Sequence, residues 1–150
     1  MEPKRRLPLL PQTLSKGEDQ GPPRPPWQWV GFGALGIFVV LLPLAWLAAV
    51  AAPRFAGLVF AHDAALPVFW AAPFVTAVAV ACLAGGYLVG RWGTSGVGVR
   101  EAALAGLLAA LVAGAFAWGA PGALAGVVAT TAVAVPVAAL GGKLGLRRRG

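Results

Sequence analysis

Residues 102–142 read AALAGLLAALVAGAFAWGAPGALAGVVATTAVAVPVAALGG and carry no charged side chain. As one helix, this stretch of about 41 residues would be roughly 60 Å long, about twice the thickness of the hydrocarbon core of a bilayer. The chain must therefore turn back inside the stretch, and only residues 118–122 (WGAPG) have the composition of a tight turn. This pattern predicts two membrane-spanning helices, at about 102–118 and 122–140.

Two further apolar runs precede this stretch. Residues 30–52 carry no charge and are longer than the roughly 20 residues needed to cross a bilayer. We expect this first helix to end at Pro53 and Arg54, and a second helix to span residues 66–89. Together the four runs predict an all-α polytopic membrane protein, an antiparallel bundle of four transmembrane helices.

The first apolar run has one other interpretation, a cleaved signal peptide. Residues 49–51 (AVA) resemble a cleavage site. The run is nevertheless longer than the roughly 7 to 15 apolar residues typical of signal peptides, and a long Pro-rich tract separates it from the N-terminal basic residues. We expect a retained membrane helix, with cleavage as the open alternative.

The composition of the whole chain agrees with a fold in lipid. Hydrophobic residues make up 59% of it and charged residues 11%, whereas soluble domains are about half apolar and about a quarter charged. Residues 1–26 are rich in proline and charge, so burial there cannot offset the entropy of ordering. We expect a disordered basic tail at 1–26, a transmembrane domain at 27–142 and a second basic tail at 143–150.

The positions of the basic residues predict an orientation. Of the 12 Lys and Arg residues, Arg54 alone falls on one side of the predicted bundle, and the others fall on the opposite side. The positive-inside rule puts that opposite side, with both termini, in the cytoplasm. The sequence therefore predicts a multi-pass protein of the bacterial inner membrane, with the N- and C-termini inside.

The same distribution decides between two interpretations of the net charge of +7. Nucleic-acid binding would need a basic folded face, whereas these residues flank apolar runs, as contact with anionic lipid favours. We expect anionic lipid headgroups as partners, and no nucleic acid. The residues expected to anchor the cytoplasmic side to lipid are Arg91, Lys143, Arg147, Arg148 and Arg149.

Small residues at intervals of four indicate where the helices pack closely. Lipid supplies no hydrophobic force between helices, so association depends on close approach of backbones. Residues 76–80 (TAVAV) recur at 131–135, and each copy leads into a glycine doublet, 85–86 or 141–142. This similarity is typical of a duplicated helical hairpin, with chance in a biased composition as the alternative. The glycines expected to pack are Gly86, Gly90, Gly106, Gly114, Gly141 and Gly145.

Residues that carry chemistry are sparse in this chain. The interiors of the predicted spans hold no Asp, Glu, Lys, Arg or His, whereas ion-coupled carriers normally place such a group at depth. His62 and Asp63 are an adjacent pair that could bind a metal, but two ligands on one loop do not complete a site. Cys82 stands alone, and Glu101 is expected at the positive end of a helix dipole. The sequence predicts no catalytic residue, no cofactor and no metal.

The stretch GGYLVGRWGTSGVGVREAALAG, residues 85–106, resembles the loop between helices two and three in small, uncharacterised four-helix membrane proteins of bacteria. A Gly-Arg turn followed by REAALAG carries the resemblance. It implies a four-helix fold and no activity.

These observations favour a non-enzymatic membrane protein that acts through helix packing, as an accessory, assembly or scaffold component. Its partner would be a second copy of the chain or another membrane protein. The alternatives are a small oligomeric pore or carrier for an uncharged solute and a holin-like permeabilising protein.

Overall fold

The computed structural model describes residues 25–59, 66–93, 97–119 and 121–149. These residues form four α-helices: α1 (Pro26–Val59), α2 (Leu66–Trp92), α3 (Val99–Phe116) and α4 (Ala123–Arg147). All four are long and apolar enough to cross a membrane. The prediction of an all-α protein with four potential membrane spans is therefore confirmed. The predictions for residues 1–24 and for His62 and Asp63 lie outside the described residues.

The first helix differs from its predicted bounds at both ends. It begins at Pro26, where proline suits the first helical position because the missing N–H would have no partner there. It then continues through Pro53 to Val59, so the expected end at Pro53 and Arg54 is wrong. A proline inside a helix removes one N–H donor and disfavours helical dihedrals for the residue before it. Membrane helices tolerate such interior prolines.

The other helices also differ from prediction at their ends. α2 and α4 run on into the basic segments and have Arg91 and Arg147 in their last turns, where a cation faces the negative end of the helix dipole. Between α3 and α4 the chain reverses where the WGAPG segment predicts a turn. Gly119 and Gly122 have φ angles of 95° and 78° there, which glycine adopts without steric cost.

The order of the helices around the bundle follows from their contacts. α1 packs antiparallel to α2, α3 packs antiparallel to α4, and α2 and α4 pack side by side in the same direction. α3 also touches α1 and α2, whereas the described residues of α1 and α4 do not approach each other. We call the end that holds Arg91, Arg100, Lys143 and Arg147 to Arg149 the basic end, and the opposite end the distal end.

Small side chains fill the centre of the bundle. The described core consists of Ala34, Ile37, Ala81, Cys82, Ala109, Ala110, Ala134 and Ala138. A second cluster at the basic end joins Val89, Val97 and Ala102, with Trp29 against it. No polar or charged side chain is buried among the described residues. The large apolar side chains mostly point outward, as expected for a bundle whose surroundings are hydrocarbon.

Candidate functional site

The closest approach in the bundle lies between α2 and α4, on the basic-end half. Gly86 and Gly90 of α2 face the backbone of α4: a Cβ atom on either would lie closer than 3.0 Å to a carbonyl oxygen, that of Ala138 or of Gly142. No side chain can occupy that space without moving a helix backbone. Glycine is therefore required at both positions for this spacing.

The partner helix makes the reciprocal contact. A Cβ atom on Gly141 or Gly145 of α4 would meet the carbonyl oxygen of Leu83 or Tyr87 of α2, again closer than 3.0 Å. The two sets of contacts are related by a shift of 55 positions, from 86 to 141 and from 83 to 138. The recurring TAVAV segments begin at Thr76 and Thr131, which are separated by the same shift. α2 and α4 are therefore related locally by a two-fold axis parallel to the helices.

The symmetry does not extend to α1 and α3. A two-fold axis that exchanged α2 with α4 would give α4 a contact with α1 to match the contact of α2 with α3, and the described residues make none. The duplication of a hairpin therefore stays a hypothesis that rests on α2 and α4 alone.

Each glycine doublet packs against two neighbouring helices. Gly85 faces Ile37 of α1 while Gly86 faces α4, and Gly142 faces Ala102 of α3 while Gly141 faces α2. Successive residues of an α-helix point about 100° apart, so a doublet lets one turn of helix approach two others. We did not predict Gly85 and Gly142 as packing residues, although the doublets were the signal for them.

The remaining predicted glycines lie on α3 and face α4. A Cβ atom on Gly106 would lie 2.8 Å from the carbonyl oxygen of Ala134. Gly114 instead faces the side chain of Val127, closer than 3.0 Å to one of its methyl groups. The contact of Gly106 is with backbone, which moves only with the helix, so it is the more restrictive of the two.

Local hydrogen bonds organise the basic end. The backbone N–H of Gly98 donates to Oε2 of Glu101 at 2.7 Å, which caps the first turn of α3. Nη2 of Arg149 donates to the carbonyl oxygen of Val89, at the end of α2, at 3.2 Å. Arg149, one of the predicted lipid anchors, has a side chain that is half-buried against α2, and its role as an anchor stays a prediction. The other four predicted anchors, Arg91, Lys143, Arg147 and Arg148, are exposed.

A lateral groove opens between α1 and α2 at the basic end. It has a volume of about 300 Å³. Trp29 and Phe32 meet edge to face there, with ring centroids 6.1 Å apart. The Nε1 atom of Trp29 is closed off from water and has no acceptor among the described residues. The lining residues are Trp29, Phe32, Gly33, Leu88, Val89 and Trp92.

A second groove, of about 280 Å³, lies between α3 and α4 on the distal half. Its walls are mainly Ala and Gly, with Val127 and Thr130 at one side. A Cβ atom on Gly126 would meet nothing within 4 Å. Here the small residues leave open space instead of a helix contact.

The described residues offer little reactive chemistry. They contain no group of three His, Cys, Asp or Glu side chains that could hold a metal ion. The hydroxyl of Thr76 donates to the carbonyl oxygen of Ala72, one turn earlier in the same helix. No family model, no curated protein and no solved structure matches this chain. The resemblance of residues 85–106 to four-helix membrane proteins therefore stays a prediction.

Proposed function

We propose that this protein is a non-enzymatic component of the bacterial inner membrane that acts by packing against another membrane helix, as an accessory, assembly or scaffold protein. The proposal places both termini and the basic end in the cytoplasm. The charge distribution supports this orientation, because exposed Arg91, Arg100, Lys143, Arg147 and Arg148 all lie at one end of the bundle.

The main support for the proposal is the groove of small residues on the distal half. Close helix association in lipid needs small residues that let backbones approach. On the basic-end half, small residues form contacts between helices of this chain. On the distal half, Gly122, Ala123 and Gly126 line a groove that no described helix fills. Thr130 lies one turn from Gly126 on the same face of α4 and also lines the groove. This surface suits a further helix, from a second copy or from another protein.

A photo-reactive amino acid in native membranes tests the proposal. Placed at Thr130, which lines the groove, it should cross-link to a protein and give a discrete band. Placed at Val39, which is 65% exposed on α1 and away from the groove, it should give lipid adducts only. Lipid adducts alone at both positions would remove the basis for a protein partner.

Reconstitution separates this proposal from the pore or carrier. Liposomes that hold the purified protein should retain a small uncharged solute as well as empty liposomes do. Release of the solute in proportion to the protein added would favour the oligomeric pore.

A further inference from the structure

The groove between α1 and α2 at the basic end is different in chemistry from the distal groove. Its walls are indole and phenyl rings and branched aliphatic side chains, from Trp29, Phe32, Leu88 and Trp92. Its depth against the bundle comes from Gly33, where a Cβ atom would collide with Val89 and Ala105. Tryptophan is enriched at the level of lipid headgroups, where an apolar body meets a polar surface. In the orientation proposed above, the groove therefore begins at the headgroup level and runs along the acyl region.

Cationic side chains stand at the basic end of the same groove. Leu88, Arg91 and Trp92 are spaced three and four residues apart, so they share one face of α2. Arg149, which follows α4, lies near this end of the groove, since its guanidinium donates to the carbonyl of Val89, a lining residue. The one acidic side chain among the described residues, Glu101, accepts the N–H of Gly98. The rim is thus positively charged while the groove itself is apolar.

We propose that this groove binds one anionic membrane phospholipid, with an acyl chain between Trp29 and Leu88 and the phosphate near Arg91 and Arg149. The inference rests on the proposed placement of the basic end at an anionic leaflet. It goes beyond general attraction to the membrane surface, because it assigns one lipid to one groove. A zwitterionic phospholipid offers the same chain but no net negative charge for the two guanidinium groups.

Native mass spectrometry of the full chain in detergent tests the site, with phosphatidylglycerol and phosphatidylcholine added in turn. The protein should retain one phosphatidylglycerol in preference to phosphatidylcholine. Arg91→Gln should weaken that retention about fivefold, the effect of one basic residue near a lipid surface. Arg100→Gln is the matched control, because Arg100 is also exposed at the basic end but lies on α3 and is not one of the predicted lipid anchors, and it should change retention little. Equal losses for the two variants would mean diffuse attraction and overturn the site.

Leu88→Trp tests the acyl part of the site independently. The larger ring fills the groove, so retention of both lipids should fall at least severalfold, whereas Arg91→Gln should affect phosphatidylglycerol alone. If Leu88→Trp does not fold, Trp92→Ala removes one wall of the groove at a side chain that is 67% exposed, and should lower retention of both lipids. Unchanged retention in the folded groove variant would exclude the groove. Cross-linking at Thr130 should persist in these variants, so the failure of one proposal is distinguishable from the failure of the other.

Discussion

Glycine has different surroundings in the two halves of α4. On the basic-end half, Gly141 and Gly145 lie against the backbone of α2, and the neighbouring Ala138 is fully buried. On the distal half, Gly126 faces open space, and Thr130, one turn further along the same face, lines the open groove. Glycine in a membrane helix is therefore a contact only where another helix is present. Otherwise it leaves a surface on which a helix could pack.

The difference has an energetic consequence. In lipid, helices are held by dispersion and close packing, because hydrocarbon surrounds them whether or not they associate. Each contact of a glycine with a carbonyl oxygen brings two backbones together and gains many small van der Waals attractions. The basic-end half should therefore account for most of the stability of the bundle, and the distal half for little.

The largest expected effect is at the two-fold contact of α2 and α4. Leucine at Gly86 must displace the backbone at Ala138, and leucine at Gly141 must displace the backbone at Leu83. We expect each variant to lose about 3 kcal/mol or more of unfolding free energy, at or above the upper end for overpacked cores. Thermal and denaturant unfolding in mild detergent measure the loss.

Equality of the two variants tests the local symmetry. Ala132→Leu is the control, because Ala132 is an exposed residue of α4, the helix that contains Gly141. It should change stability little. A large loss at Gly86 with none at Gly141 would mean that the reciprocal contact does not form, and the duplicated hairpin would then lose its support.

A smaller effect is expected at Arg149, which links the C-terminal segment to the end of α2. Arg149→Gln removes a charged donor from the carbonyl of Val89, and we expect a loss of about 1 to 2 kcal/mol. Arg148→Gln should be neutral, because that side chain is exposed. An equal loss in both variants would indicate a general effect of charge in place of the hydrogen bond.

The smallest of the three effects is expected at the start of α3. Glu101→Ala removes the acceptor for the N–H of Gly98 and should cost about 1 kcal/mol, as the loss of a helix cap does. Glu101→Gln retains a carbonyl oxygen and should cost less than half of that. In liposomes neither the native protein nor Glu101→Gln should move protons, and proton uptake abolished by Glu101→Gln would show that Glu101 couples transport.

The sequence was sufficient for the fold class because lipid imposes simple rules. Four uncharged runs of sufficient length allow few alternatives to four helices, and Gly119 and Gly122 lie where the turn was expected. The ends of the helices were harder to predict from the sequence. Pro53 is a helix breaker by local propensity, yet α1 continues past it, because a membrane helix retains its remaining hydrogen bonds when one donor is lost.

Contacts between distant parts of the chain were the hardest to predict. The spacing of Gly86 and Gly90 indicates a smooth face on α2, but not that Ala138 and Gly142 lie against it. Gly126 is also a glycine, yet a Cβ atom there would meet nothing within 4 Å. The bond from Arg149 to Val89 joins positions 60 apart, and no local pattern in the sequence points from one to the other. Both depend on how the helices are arranged.

One pair of variants tests the contrast between the two halves most directly. Gly86→Leu and Gly126→Leu place the same side chain on the basic-end half and on the distal half, and each variant is measured for unfolding and for cross-linking through Thr130, which lines the distal groove. We predict that Gly86→Leu lowers the unfolding temperature strongly, whereas Gly126→Leu leaves it within error of the native protein and abolishes the cross-link. Equal destabilisation by the two substitutions, or a cross-link that survives Gly126→Leu, would contradict the assignment of folding to one half and partner binding to the other.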